Sequence, residues 1–242
     1  MDYLHWGVDP VLLHLGPLSI RWYGLFFVGG LLIGLKIMEW IYKREGLDSS
    51  SLDNFLLYLI IGIVVGARLA HTLIYEPDYF LSHPIEILYV WRGGLASHGG
   101  TLGAVVATYF YSKRYNIDFL WVISRITIPG ALVATFIRIG NFFNSEIVGK
   151  ESSLPWAVVF ERVDNIPRDP VQIYEAVSYL IIFFILLFIY HKTSFKFSKK
   201  LLGGLFLTAV FGVRFLLELF KMRQADYTLP IPFTVGQLLS VP

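Results

Sequence analysis

Two arginines and a histidine carry the chemistry this sequence can offer. Arg138 lies in "FIRIGNFFNSEIVG" (136–149), Arg214 in "FGVRFLLELF" (211–220) and His98 in "GGLASHGGTLGA" (93–104). Both arginines sit deep in apolar runs. A charge at the centre of such a run costs about 2.5–3.5 kcal/mol on insertion scales, so an ionisable group there is a functional candidate by default. A guanidinium stays charged when desolvated and grips phosphate through parallel N–H donors. Two of them on separate segments point to an anion site. Glu218, four residues after Arg214, could instead hold that arginine in a structural ion pair on one helix face. His98 is the side chain in these segments suited to general-base work near neutral pH; packing or hydrogen bonding is its other reading.

The elements that must position these groups are membrane spans. Of 242 residues, 55% are hydrophobic and 16% charged, against about 25% charged in soluble domains. Apolar stretches of roughly 20 residues, enough to cross the hydrocarbon core, run over about 20–42, 53–75, 95–112, 118–142, 171–190 and 201–220. The fold expected is therefore an all-α, polytopic membrane helix bundle, a single integral membrane domain over 1–242. It has six full spans and, in "PFTVGQLLSVP" (232–242), the start of a seventh. Short loops carry Lys43, Arg44, Lys113, Arg114, Lys192, Lys196, Lys199 and Lys200, which places them in the cytoplasm by the positive-inside rule. The N-terminus is then extracytoplasmic, as are the irregular segments at about 76–94, 143–170 and 221–232. The first basic residue is Arg21, so no cleavable signal peptide is expected.

Within this frame Arg138 lies about 20 Å beyond Arg125 along the fourth span, at a helical rise of 1.5 Å, toward the outer leaflet. Gly130, Ala134, Arg138 and Asn141 share one narrow stripe, small residues below and polar ones above, and Pro129 is expected to bend the helix beneath it. Arg125, near the inner end, is expected to snorkel. Arg68 in "GARLAH" lies deeper, with His71 one turn on. Small residues four apart, as in Gly62/Gly66/Ala70 and Gly99/Gly103/Ala107, read as close helix packing.

Several chemistries are excluded. The absence of cysteine removes disulfides, thiolate metal sites and a cysteine nucleophile, so a thiol must come from a substrate. No hydrolase elbow, zinc-protease helix, phosphate loop or acidic metal cluster occurs. No metal, cofactor or nucleic acid is implied.

The sequence resembles the bacterial prolipoprotein diacylglyceryl transferases. Their signature, Gly-Arg-x-Gly/Ala-Asn-Phe-apolar-Asn-x-Glu-x-x-Gly, is met from Arg138 through Gly140, Asn141, Phe142, Phe143, Asn144, Glu146 and Gly149, with Ile137 in place of the leading glycine. "IRWYGL", "GARLAHTLIYEP", "RGGLASHGG", "PRDPVQIYEA", "RFLLELF" and "GQLLSVP" agree in order along the chain. The resemblance implies transfer of a diacylglyceryl group from phosphatidylglycerol to the lipobox cysteine of a prolipoprotein, in the bacterial cytoplasmic (inner) membrane, with no cofactor. It implies catalytic roles for His98, Arg138 and Arg214. Substrate contacts are implied for Tyr23, Asn141, Asn144, Glu146 and Gly149, beside Arg138, Arg214 and Glu218. Asp169 stands where many members carry histidine and is given no role. The family's seventh span begins where this sequence ends, so a chain continuing past Pro242 is expected. The rival readings are a lipid or anion transporter with an arginine-lined cavity, and a non-catalytic scaffold.

Overall fold

The structure, a computed structural model, describes residues 2–16, 18–192 and 198–222. The expected start of a seventh span at 232–242 lies outside the described residues, as does most of the irregular segment at 221–232. The chain falls into two compact units, one of residues 1–37 and 127–242 and the other of 38–126.

In chain order, strands β1 (Leu4–Trp6), β2 (Val11–Leu15) and β3 (Leu18–Arg21) precede helix α1 (Trp22–Arg44), followed by α2 (Leu52–Ala70). A π-turn (His71–Tyr75), the short helix α3 (Pro77–Ser82) and two 3-10 turns lead to α4 (Ser97–Tyr115) and α5 (Phe119–Phe143). Strands β4 (Val158–Phe160) and β5 (Pro167–Arg168) precede α6 (Val171–Lys192) and α7 (Ser198–Leu217), which tightens into a 3-10 turn over Glu218–Phe220.

The architecture is an all-α polytopic membrane protein. Among the described residues, five helices, at Trp22–Arg44, Leu52–Tyr75, Phe119–Phe143, Val171–Lys192 and Lys200–Phe220, are long and apolar enough to cross a bilayer. The remaining expected span, 95–112, is a helix: α4 has 19 residues, about 28 Å at 1.5 Å each. Ser97, the glycines at 99, 100 and 103, and Thr101 make it less apolar than the other five. Large apolar side chains such as Leu32, Ile61, Ile181, Phe184 and Phe188 are exposed, a surface suited to lipid.

Helix ends follow local chemistry. α1 closes on Lys43 and Arg44, cations favoured by the helix dipole. α4 closes on Asn116 in the left-handed region, its N–H returning to the Ser112 carbonyl, a common asparagine stop. Pro129 sits inside the continuous helix α5, with its Cβ side turned to Gly34 of α1.

In the unit of residues 38–126, α2 and α4 pack backbone to backbone. A Cβ on Gly62, Gly66, Gly99 or Gly103 would collide with the facing helix, chiefly at the Gly103, Gly99, Gly66 and Gly62 carbonyls respectively. Arg125 is fully buried there: its Nε meets Glu45 Oε1 at 2.9 Å, and Trp121 Nε1 donates to Glu45 Oε2 at 2.6 Å. The expected snorkelling does not occur, because Glu45, in the turn after α1, brings a counter-charge to the arginine.

In the unit of residues 1–37 and 127–242, short strands appear that no hydrophobic alternation announced. β1 runs parallel to β4, Leu4 opposite Val158 and Trp6 opposite Phe160, and β5 closes the sheet antiparallel to β4. Phe142, Val148, Val158 and Phe160 form a buried cluster under this sheet, with Trp6, Phe143 and Ile173 against it. The adjacent phenylalanines of the "GNFFN" stretch thus tie the end of α5 to the sheet.

Candidate functional site

The polar stretch that ends α5 folds into one hydrogen-bonded network. Arg138, with a side chain 12% exposed, directs Nη1 to Asn141 Oδ1 at 3.2 Å. Asn141 Nδ2 donates to Glu146 Oε2 at 3.1 Å, and Asn144 Nδ2 donates to Glu146 Oε1 at 3.0 Å. After Phe143 the chain turns sharply. The Asn144 N–H returns to the Gly140 carbonyl and the Glu146 N–H to the Asn141 carbonyl, while Ser145 and Ile147 sit at φ 55° and 56°. For a β-branched residue such as Ile147 that conformation is strained, and strain of this kind gathers at functional sites. The Glu146 side chain is turned outward, and Gln172 Nε2 of α6 holds its backbone carbonyl at 2.7 Å.

Tyr23, the second residue of α1, faces this stretch. Gly140 lies so close that a Cβ there would stand 3.2 Å from Tyr23 Cα, and the tyrosine is within electrostatic reach of Glu146 and Arg138. Gly149 is buried, and its missing Cβ makes room for the Asp169 backbone, to which its N–H donates at 3.1 Å. Its contribution is close backbone approach. Arg168 Nη1 caps the Gly149 carbonyl at 3.2 Å. Lys150 and Val148 pair with Phe220 and Met222 through backbone bonds of 2.8 and 3.2 Å, so the turn after α7 is latched to the strand-like segment after α5.

That latch delivers charges the sequence reading missed. Glu175 of α6 is wholly buried between two cations, 3.0 Å from Arg138 Nε and 3.1 Å from Lys221 Nζ. These are ion pairs by distance whose angles fall outside hydrogen-bond geometry, which leaves both carboxylate oxygens without a hydrogen bond. Lys221, itself buried, also lies 3.3 Å from Glu218. The Arg214/Glu218 pair that the spacing allows is not formed among the described residues. The tightening of α7 at Glu218 explains this: in a 3-10 turn residues three apart eclipse, which aligns Glu218 with Lys221.

Arg214 stands in the last turn of α7 with Nε buried and unsatisfied. Tyr179 of α6, buried, lies within electrostatic reach of both Arg138 and Arg214. Asn144 Oδ1 and Gln172 Oε1 are also buried without partners. Buried polar atoms are nearly always satisfied, so each of these atoms is open to a polar partner. Tyr23, Arg138, Asn141, Asn144, Glu146, Gly149, Arg214 and Glu218 thus all belong to the unit of residues 1–37 and 127–242.

His98 belongs to the unit of residues 38–126, exposed in the first turn of α4. An apolar groove of about 750 Å³ lies in that unit between α2 and α4, lined by Leu57, Val65, Leu73, Leu102 and Phe110 among others. Neither Arg138 nor Arg214 lines it. No group of three or more metal-ligating side chains occurs among the described residues.

Glu175, Lys221, Tyr179 and Gln172 escaped the sequence reading. Glu175 carried a usable signal, being an acid inside the apolar run 171–190. Lys221 carried none, since its place depends on the latch.

Comparison with known proteins places these residues in context. The family model described as prolipoprotein diacylglyceryl transferase matches residues 10–242. Similar chains include the phosphatidylglycerol–prolipoprotein diacylglyceryl transferase of Tolumonas auensis, 51% identical over 99% of this chain and 93% of the relative. The enzyme of that name from Chloroherpeton thalassium is 49% identical over 100% of this chain and 90% of its own. That from Bacteroides fragilis is 37% identical over 99% and 91%. A signature turn at the end of α5, a second arginine on α7 and relatives matched over almost their whole length lead to one conclusion: this chain belongs to the prolipoprotein diacylglyceryl transferase family.

Proposed function

We propose that the chain transfers the diacylglyceryl group of phosphatidylglycerol to the lipobox cysteine thiol of prolipoproteins, forming a thioether and releasing glycerol phosphate. This is the first step of bacterial lipoprotein maturation. The observation that supports the reading is the pair Arg138 and Arg214, both within electrostatic reach of the buried Tyr179, with Arg214 Nε buried and unsatisfied. Such a pair suits the phosphate of an anionic lipid.

In this mechanism His98 takes the proton of the substrate thiol, since the thiolate is the nucleophile. Sulfur attacks the glycerol carbon that bears the phosphate ester, the carbon–oxygen bond breaks, and its electron pair leaves on glycerol phosphate. Charge therefore grows on the departing phosphate, where Arg138 and Arg214 stabilise the transition state more than the ground state. Asn141, Asn144 and Glu146 fix the turn that carries Arg138, Tyr23 packs on it, Gly149 permits its close approach, and Glu218 holds Lys221. Holding lipid and peptide together supplies much of the remaining rate.

Residues 1–242 serve this reaction as one integral domain of the bacterial cytoplasmic membrane, with the N-terminus and the arginine site on the extracytoplasmic side. The relatives are named for transfer, and nothing in the comparisons supports a transporter. The test is mass spectrometry of a lipobox peptide incubated with phosphatidylglycerol and the purified protein. A cysteine-linked diacylglyceryl thioether is the expected product. Lipid movement across vesicles without any adduct would favour the transporter instead.

A further inference from the structure

Arg68 takes no part in the mechanism above, yet it is a buried cation inside an apolar helix. Its guanidinium is spent on backbone: Nε donates to the Ile87 carbonyl at 2.9 Å, Nη1 to those of Gly93 and Gly94 at 2.7 and 3.2 Å, and Nη2 to that of Glu86 at 2.5 Å. The Phe80 ring covers it, 4.9 Å from Cζ. One side chain on α2 thus gathers carbonyls from both ends of the segment 86–94, the approach to α4. No anion is needed to explain this cation, because four carbonyl dipoles offset its charge.

The segment is held where the chain has little freedom. Gly93 and Gly94 have φ of 88° and 72°, a region that favours glycine. A Cβ on Gly94 would stand 2.5 Å from the His71 ring and 2.8 Å from Arg68 Nη1. Immediately downstream, the Ala96 N–H donates to the Ala67 carbonyl of α2 at 3.0 Å. Gly99 then lies against Gly66 with no room for a side chain. His98 falls between these two fixed points, Ala96 and Gly99, in a segment with only two residues between backbone contacts to the same helix.

We infer that Arg68 is a positioning residue for His98, setting the first turn of α4 through the carbonyls of segment 86–94. The inference rests on the reading of His98 as the base. Lysine cannot replace arginine here, since an ammonium is a point charge without the planar fork that reaches four carbonyls.

The test is steady-state thioether formation from phosphatidylglycerol and a lipobox peptide by Arg68→Lys, measured in the wild-type and in the His98→Gln background. Turnover at saturating substrates should fall roughly 10- to 100-fold in the wild-type background, the scale of an ångström of misplacement. Both KM values should stay near wild type, and turnover is compared per folded protein because loss of the four carbonyl bonds lowers the melting temperature in detergent. In the His98→Gln background the same substitution should cost less than about 2-fold, because the group it positions is already gone. Gly94→Ala, which disturbs the same segment from the other side, should repeat the pattern and carries the test if Arg68→Lys does not fold. Equal losses in the two backgrounds, or undiminished turnover in Arg68→Lys, would overturn the inference alone. Wild-type turnover by His98→Gln itself would overturn the base assignment, and the role of Arg68 with it.

Discussion

At the scale of the residue, the strongest constraint on Arg138 is Glu175. A carboxylate with no exposure is expensive to desolvate, and its neighbours Arg138 and Lys221 offset that cost. Removing the acid would leave Arg138 without its carboxylate and Lys221 with Glu218 alone, so Glu175→Gln is expected to destabilise the fold by about 3–5 kcal/mol, read as a lower melting temperature in detergent. Turnover should fall further than the loss of folded protein accounts for, because Arg138 loses the partner at Nε while keeping Asn141 at Nη1. Arg138, Asn141, Asn144 and Glu146 were legible in the sequence because they are neighbours along the chain, and a hydrogen-bonded turn needs only local geometry. Glu175 and Lys221 were not placed, because their roles exist only once α6 and the turn after α7 meet the end of α5. Glu218 shows the limit of helical spacing. Four residues predict a shared face with Arg214 only while the helix stays α, and here it tightens.

At the scale of the element, glycine spacing carried real information. Gly62, Gly66, Gly99 and Gly103 were read as close-packing positions, and each faces backbone on the partner helix with no room for a methyl group. Gly103→Ala should therefore push α2 and α4 apart and cost about 1–3 kcal/mol, as overpacking does. Gly130→Ala is the control, since nothing lies within 4 Å of the position its Cβ would take; the melting temperatures of the two variants should differ. The short strands were illegible for the opposite reason. Three residues are too few to show alternation, and β1 finds β4 more than 150 positions away in sequence. In the segment between α5 and α6, Arg168 donates to Asp164 at 2.5–3.1 Å and, with a backbone bond from Ile166, holds its carboxyl below the ordinary 3.8. The unfolded chain therefore takes up that proton more readily. The stabilisation is complete above about pH 4 and is lost as pH falls below it. Melting temperature across acidic pH should fall more steeply for the wild type than for Asp164→Asn.

At the scale of the whole molecule, composition decided most. Long apolar helices with exposed leucine, isoleucine and phenylalanine require lipid around them, and that much was readable from hydropathy before any coordinates. The burial of Arg125 was not, because its counter-charge Glu45 sits in what reads as a polar turn. The central claim is that two guanidinium groups on separate membrane helices hold the phosphate while sulfur displaces it. Its most direct test is the rate of thioether formation by purified Arg138→Ala beside the wild type, with insertion and melting temperature measured on the same samples. The account predicts an inserted, folded protein whose transfer is reduced by about 10³-fold or more, beyond the usual loss of one transition-state donor. Transfer at a near-normal rate by that variant would contradict it.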